Sequence, residues 1–323
     1  MCTAVSYQTK DYYFGRTLDH LQSYGEEVTV MPRRFPLPFR DRACWDQHYA
    51  MIGMAHVVQE YPLFFDGVNE KGLAMAGLNF PGYAQYAPPD PEKCNIASFE
   101  LIPWLLGSCA NTRQALEKLK ELNLTDRAFS RELPPAQLHW LLADREGAYT
   151  LEATARGLEV YPNPVGVLTN NPPFPVQMFR LRDFQHLSPE EPENRFAQGL
   201  SLEPYSFGMG AMGLPGDLSS QSRFVRAAFT KCNSLCGNTE GESVSQFFHI
   251  LESVSQTRGC TRVGDGWEST LYTSCCNGDK GIYYYTTYGN RQITAVHMHR
   301  ESLDGEFLIR YPLIQGEQIH CQN

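Results

Sequence analysis

No stretch of the 323 residues comes near the ~18 consecutive apolar residues that a membrane-spanning helix needs. The start has no basic segment followed by an apolar run, so no secretory leader is expected. No polybasic cluster is present, and 36 Asp and Glu outnumber 27 Lys and Arg, for a net charge of −9. That balance speaks against nucleic acid, which selects a basic face, and against an anionic membrane surface. The pattern C-x-x-C is missing, which removes the usual zinc and redox pairs. G-x-S-x-G is missing too, which closes the serine-elbow route to hydrolysis. Without a leader, the ten cysteines do not read as a disulfide framework, and the expected compartment is a reducing cytoplasm. Cys94 and Cys109 sit among apolar neighbours and read as small core residues. The Asn123-Leu124-Thr125 sequon then carries no weight. What remains is an acidic chain, 42% hydrophobic and 12% aromatic, long enough for a sizeable core.

The pattern along the chain is strand-rich at both ends. "CTAVSY" and "DYYFGRTLD" are full of β-branched and aromatic residues, with "QTK" between them as a turn. "MPRRFPLPFRDR" is a proline-rich loop. "AHVVQEYPLFFDGVNEKGLAMAGLNF" reads as strand, turn, strand, with turn chemistry from Asn69 to Gly72. Helical periodicity runs from Ala97 through "ASFELIPWLLGSCA" and "TRQALEKLKEL", the second capped by Asn111 or Thr112. Strands return through "QLHWLLADREGAYTLEATARGLEVYPNPVGVLTN". Helices follow at "PVQMFRLRDFQHL", "SRFVRAAFTKCN" and "SVSQFFHILESVSQ", and strands close the chain. Residues 187–221 are rich in Pro, Gly and Ser and read as a long excursion suited to a subunit contact. This order suits antiparallel sheets with helices on their outer faces rather than a βαβ parallel sheet. No linker separates two cores, so one domain over 1–323 is expected.

Several patterns look chemical but lack supporting context. "GMGAMG" (208–213) fits G-x-G-x-x-G, yet "LPGD" follows where a helix should open, so a glycine loop is the expectation. His297 and His299 share a face of a predicted strand, but no further ligand stands at metal spacing. Cys232, Cys236, Cys275 and Cys276 read as packing residues. No metal and no cofactor is expected.

The unusual feature is Cys2, directly behind the initiator methionine. A small second residue favours removal of that methionine, which would leave Cys2 with a free α-amine of ordinary pKa about 7.7–8.0. Thiol and amine on one residue make a nucleophile with its own base. If "CTAVSY" and "FGRTLD" pair, Arg16 and Asp19 come close. Arg16 would favour the thiolate, and Asp19 would accept from the amine.

With these residues goes a wider resemblance. "MCT", "YFGRTLD", "NEKGLAMAGLNFPGYA", "VLTNNPPF", "GLPGDLSSQSRFVR" and "TLYTS" together resemble the choloylglycine hydrolase family. That family includes bile salt hydrolases and penicillin V acylases of the N-terminal nucleophile class. The resemblance runs the length of the chain. It implies an α+β fold of four layers, αββα, with two stacked antiparallel sheets between helices. It also implies a homo-oligomer, with tetramers common among homologues.

The resemblance further implies a reaction. Trimmed Cys2 attacks a linear amide, its amine relays the proton, and a thioester forms and is hydrolysed. Arg16, Asp19 and Arg223 match positions beside the nucleophile, which leaves Arg226 as a helix-surface residue. Asn79 and Asn170, rather than Asn171, match the oxyanion donors. Asn79 also points to bile salts, because penicillin V acylases typically carry tyrosine there. A flat, apolar steroid suits an apolar wall, for which Met31, Phe64, Phe65, Phe129, Leu133 and Leu138 are the candidates. The expected partner is therefore a small molecule, a conjugated bile salt. The rival readings are a penicillin V or other N-acyl amidase and an idle steroid-binding protein. Capture of the thioester by another amine would add acyltransfer.

Overall fold

β-branched and aromatic side chains fill the first twenty residues, and they pair as the expected hairpin: β1 (Cys2–Gln8) with β2 (Tyr12–His20). The computed structural model describes residues 1–323. After β3 (Glu27–Met31) come β4 (Met51–Val58), β5 (Tyr61–Asn69), β6 (Ala74–Asn79) and the short β7 (Cys94–Ala97). Helices α1 (Leu101–Ser108) and α2 (Thr112–Leu119) lead to β8 (Leu122–Thr125), β9 (Leu138–Ala143), β10 (Ala148–Thr154), β11 (Gly157–Pro162) and β12 (Val167–Leu168). Then come α3 (Phe174–Arg180), α4 (Ser220–Asn233) and α5 (Glu240–Glu252). The last strands are β13 (Thr261–Val263), β14 (Gly266–Asn277), β15 (Ile282–Thr287), β16 (Asn290–His297) and β17 (Ile309–Pro312).

Two large antiparallel sheets result. One runs β12-β1-β2-β14-β15-β16, with β13 paired to β14; the other runs β11-β10-β9-β6-β5-β4-β3-β17. Strand alternation sorts the side chains between two cores. Val28, Val30, Ala74, Ala76 and Leu141 face the first sheet, whose own residues also pack on Phe224 and Phe247 of α4 and α5. Met31, Met75, Trp140 and Leu142 face the other way, onto Leu101, Leu105, Ala115 and Leu119 of α1 and α2. The layers are therefore helix, sheet, sheet, helix, as expected.

Several expectations need correction. β7 and β8 form a small parallel pair, which the sequence pattern did not suggest. His297 ends β16 while His299 lies in the following 3-10 turn, so the two do not share a strand face. Cys232 is exposed and Cys94 only half-buried, the latter beside Arg42 Nη1 at 2.6 Å. The excursion ends at Ser219, which caps α4, so residues 220 and 221 are helical. Arg226 is half-buried rather than simply a face to solvent: it donates to Ser253 O at 2.6 Å and Pro215 O at 2.7 Å. In the glycine loop, a Cβ on Gly210 would lie 1.8 Å from Glu190 O, so close packing explains that residue. Asn123 is buried, and its amide donates to Pro88 O at 2.9 Å and Asn95 Oδ1 at 2.8 Å.

Candidate active site

Cys2 begins β1 and lies opposite Leu18, which sets Arg16 and Asp19 close to it across the hairpin. β2 lies against β14 just beyond, at a spacing only glycine allows: a Cβ on Gly15 would sit 2.0 Å from Ser274 O. Two register slips flank the site, one in β2–β14 at Leu271 and one in β4–β5 at Phe65. Such bulges turn backbone groups out of the ladder. The Phe65 bulge has a visible use, because its carbonyl accepts from Arg16 Nη1 at 3.3 Å. Gly77 O accepts from the same nitrogen, and Thr17 O takes Nε at 3.1 Å.

Arg16 is only 1% exposed. Burial works against its charge, yet Cys2, Tyr272, Asp66 and Asp19 outweigh that and hold its pKa above the ordinary value. Asp66 is buried as well. It accepts from Tyr272 Oη and Tyr283 Oη, each at 2.7 Å. Burial pushes its pKa up, against the pull of Arg16 and these hydroxyls.

Arg223 projects from α4 and is fully buried. Its Nη1 donates to Cys2 O at 2.5 Å and Thr3 Oγ1 at 2.8 Å, and its Nη2 to Asn170 Oδ1 at 2.7 Å. Burial draws its pKa down. Asn170, not Asn171, meets the nucleophile: its Oδ1 accepts from Cys2 N at 2.9 Å. Its Nδ2 donates to Asn79 O at 2.8 Å, and its backbone N–H to Ser220 Oγ at 2.9 Å. Asn170 thus holds the Cys2 nitrogen through Oδ1 and the end of β6 through one of the two N–H donors on Nδ2, which leaves the other unassigned. Asn79 ends β6 at the cavity wall beside Cys2.

Asp19 follows Leu18, the partner of Cys2 across the hairpin. Its carboxylate takes Thr270 Oγ1 at 2.6 Å and Gln256 Nε2 at 3.3 Å. The amine of Met1 goes to the backbone instead, donating to Asp19 O at 2.7 Å, and it pairs with Glu268. Asp19 N–H returns a bond to Met1 O at 2.9 Å. Burial lowers the pKa of this ammonium; Cys2 and Asp19 oppose that, while Arg223 and Arg16 add to it.

An apolar cavity opens on Cys2, Arg16 and Asn79, and Phe64, Phe65, Phe129, Leu133 and Leu138 line it. Met31 does not. As the last residue of β3 it follows the strand alternation to the α1–α2 side, where it is buried in that core. A larger polar cleft of about 870 Å³ lies around Gln8 to Tyr12, at the far end of the hairpin, and contains none of these residues.

Sequence reasoning missed Asp66, Gln256, Thr270 and Glu268. It also missed the buried pair His139 and Glu152, 3.1 Å apart on facing strands. His139 Nε2 meets Thr169 O at 2.9 Å and so steadies the segment that carries Asn170. For Asp66 a signal was present: an acid flanked by apolar residues within a strand has to find partners.

The family model for linear amide C–N hydrolases of the choloylglycine hydrolase family matches residues 2–311. The chain belongs to the choloylglycine hydrolase family. The bile salt hydrolase/transferase of Lactiplantibacillus plantarum is 52% identical over 324 residues, with 100% of both chains covered. The crystal structure of the mutant C2A conjugated bile acid hydrolase from Clostridium perfringens matches with a TM-score of 0.93 at 35% identity, again over 100% of both chains. Penicillin V acylase from Agrobacterium tumefaciens shares the fold, with a TM-score of 0.77 at 19% identity over 97% of this chain and 92% of that one. Family membership makes the chain a hydrolase of linear amide C–N bonds.

Proposed function

We propose that the chain hydrolyses glycine- or taurine-conjugated bile salts through an N-terminal Cys2 thioester. One observation carries the reading. The Cys2 nitrogen is held at 2.9 Å by Asn170 Oδ1, and Cys2 itself forms part of an apolar wall. Once Met1 is removed, that nitrogen is the α-amine. Burial, with Arg223 and Arg16, lowers the pKa of the Met1 ammonium one residue away, against Cys2 and Asp19; the same surroundings favour the neutral amine that a base needs. The amine takes the thiol proton, and Sγ attacks the amide carbonyl. The developing oxyanion turns to donors at Asn79 and Asn170, the pair that the family resemblance implies. The C–N bond breaks, the amine returns its proton to the departing glycine or taurine, and water resolves the thioester. A second amine in place of water would give acyl transfer, in keeping with the printed name of the L. plantarum relative.

Rates on glycocholate, taurocholate and penicillin V, for wild type and Cys2→Ala, test this together with intact mass. The expected result is turnover of at least one bile salt far above penicillin V, none in Cys2→Ala, and no Met1 in the active enzyme. Faster turnover of penicillin V would favour the rival amidase. A fully active chain that keeps Met1 would sink the amine relay.

The same reading has the chain working as one domain over 1–323, in a reducing cytoplasm where the Cys2 thiol stays free. It also makes the 187–219 segment a contact between copies in a homo-oligomer, a tetramer. Phe196, Tyr205 and Phe207 support this, being 83%, 82% and 94% exposed, since aromatic residues are enriched at such interfaces.

A further inference from the structure

Two fully buried titratable side chains stand behind the asparagines at the nucleophile. His139 of β9 and Glu152 of β10 are direct cross-strand partners, and neither is exposed. His139 Nδ1 lies 3.1 Å from Glu152 Oε1, and its Nε2 lies 2.9 Å from Thr169 O, one residue before Asn170. Glu152 Oε1 also accepts Phe174 N–H at 2.9 Å, at the start of α3. The pair therefore grips the segment from Thr169 to Phe174 at both ends. It reaches the other asparagine as well. On β6, Leu78 stands opposite His139 and Asn79 opposite Leu138. The imidazole stacks on Phe80, the residue after Asn79, with centroids 4.3 Å apart and planes 6° from parallel. One ring thus touches a chain neighbour of each asparagine, and Asn170 Nδ2 joins the two by donating to Asn79 O at 2.8 Å. Leu138 and Trp140, on either side of His139, line the apolar cavity, whereas His139 points to the opposite face of the sheet.

The protons of the pair can be counted from these contacts. Thr169 O only accepts, so Nε2 carries a proton. The bond between Nδ1 and Oε1 then needs a second proton, on one atom or the other. Imidazolium with carboxylate and imidazole with carboxylic acid both leave the pair without net charge. Hydrogen bonds of this kind in a low-dielectric interior rigidify the backbone they hold. We propose that His139, held by Glu152, is a positioning residue that sets the spacing of Asn79 and Asn170 around the reacting carbonyl. This deepens the functional reading and rests on its assignment of those asparagines as oxyanion donors. Such donors act because they are placed before charge develops. A misplacement of about 1 Å costs on the order of 10²-fold in rate.

The test measures kcat and KM on whichever of glycocholate, taurocholate and penicillin V the wild type turns over fastest. His139→Phe keeps a ring against Phe80 and loses both hydrogen bonds. Its kcat should fall roughly 10- to 100-fold. Its KM should stay within about 3-fold of wild type, the pattern of an interaction used only in the transition state. His139→Gln returns an amide donor toward Thr169 O and should recover kcat to within about 5-fold of wild type. Alkylation of Cys2 by iodoacetamide develops no oxyanion, so its rate should stay within about 2-fold in both variants. If His139→Phe folds poorly, Glu152→Gln carries the test. Its amide cannot meet both Nδ1 and Phe174 N–H through one atom without leaving a net charge, so it should show the same split between kcat and KM. An unchanged kcat, an equal fall in alkylation, or no recovery in His139→Gln would overturn the positioning role. Full activity of Asn79→Ala and Asn170→Ala would instead overturn the donor assignment beneath it.

Discussion

A chain that completes folding with Met1 in place should keep it. The Met1 ammonium donates to Asp19 O at 2.7 Å and pairs with Glu268, and Met1 O accepts from Asp19 N at 2.9 Å. An aminopeptidase needs this end extended, so all three contacts must open. Taking about 1 kcal/mol for the neutral bond and about 1.5 each for the two charged ones gives about 4 kcal/mol. That corresponds to roughly 10³-fold slower trimming when cleavage draws on local opening. The perturbation is to synthesise the protein without methionine aminopeptidase, fold it, and then add the enzyme to native and to urea-unfolded samples. Intact mass follows the loss of methionine, and turnover follows activity. The native sample should stay untrimmed and inactive, whereas trimming in urea followed by refolding should restore turnover. Trimming of the native protein within a few-fold of the unfolded rate would refute the reasoning. During synthesis the lock is completed late, because Glu268 emerges more than 200 residues after Cys2. At about 5–20 residues per second, roughly 10–50 s pass before it can form. Processing has that interval in which to act.

Two further outcomes follow from the charges and caps around the site. Burial raises the folded pKa of Asp66, so the folded state binds its proton more tightly than the unfolded state does. Its contribution to stability is full below the ordinary carboxylate range and is lost as pH rises through the folded value. The Tm of Asp66→Asn minus that of wild type should therefore be larger at pH 7 than at pH 4; a flat or reversed difference would count against this assignment. Ser219 caps α4 by accepting from Ser222 N at 3.4 Å, and Ser219→Ala should cost about 1 kcal/mol, or about 2 °C in Tm. Hydrogen bonds from Ser219 and Ser222 hold Asp217 down to about 2, so this loss should shrink as pH falls toward that value. Calorimetry across pH checks both variants.

Local pattern made the hairpin legible, and with it the nearness of Arg16 and Asp19 to Cys2, because a two-strand pairing needs only sequence alternation and a turn. Asn79, Asn170 and Arg223 lie 77, 168 and 221 residues beyond Cys2 by their numbers. No spacing rule spans such gaps, and only resemblance brought them forward. The contacts of Asn170 and Asp19 were not legible for a further reason. Which atom an amide or carboxylate turns toward a neighbour depends on its other partners, here Asn79 and Arg223 for the one and Thr270 and Gln256 for the other. Met31 was misread because the proline-rich loop after it obscured the end of β3, whose alternation carries that side chain away from the cavity. Asp66 and Glu268 needed knowledge of how the sheets pack, which alternation within one strand does not contain. These late-arriving groups explain why position two suits a nucleophile despite the usual disorder of chain ends. Cys2 is tied across β2, and its nitrogen and carbonyl are held by Asn170 and Arg223. Most of that hold acts on atoms that remain when Met1 leaves. The terminus can therefore be both processed and rigid, which a thiol using its own amine as base requires.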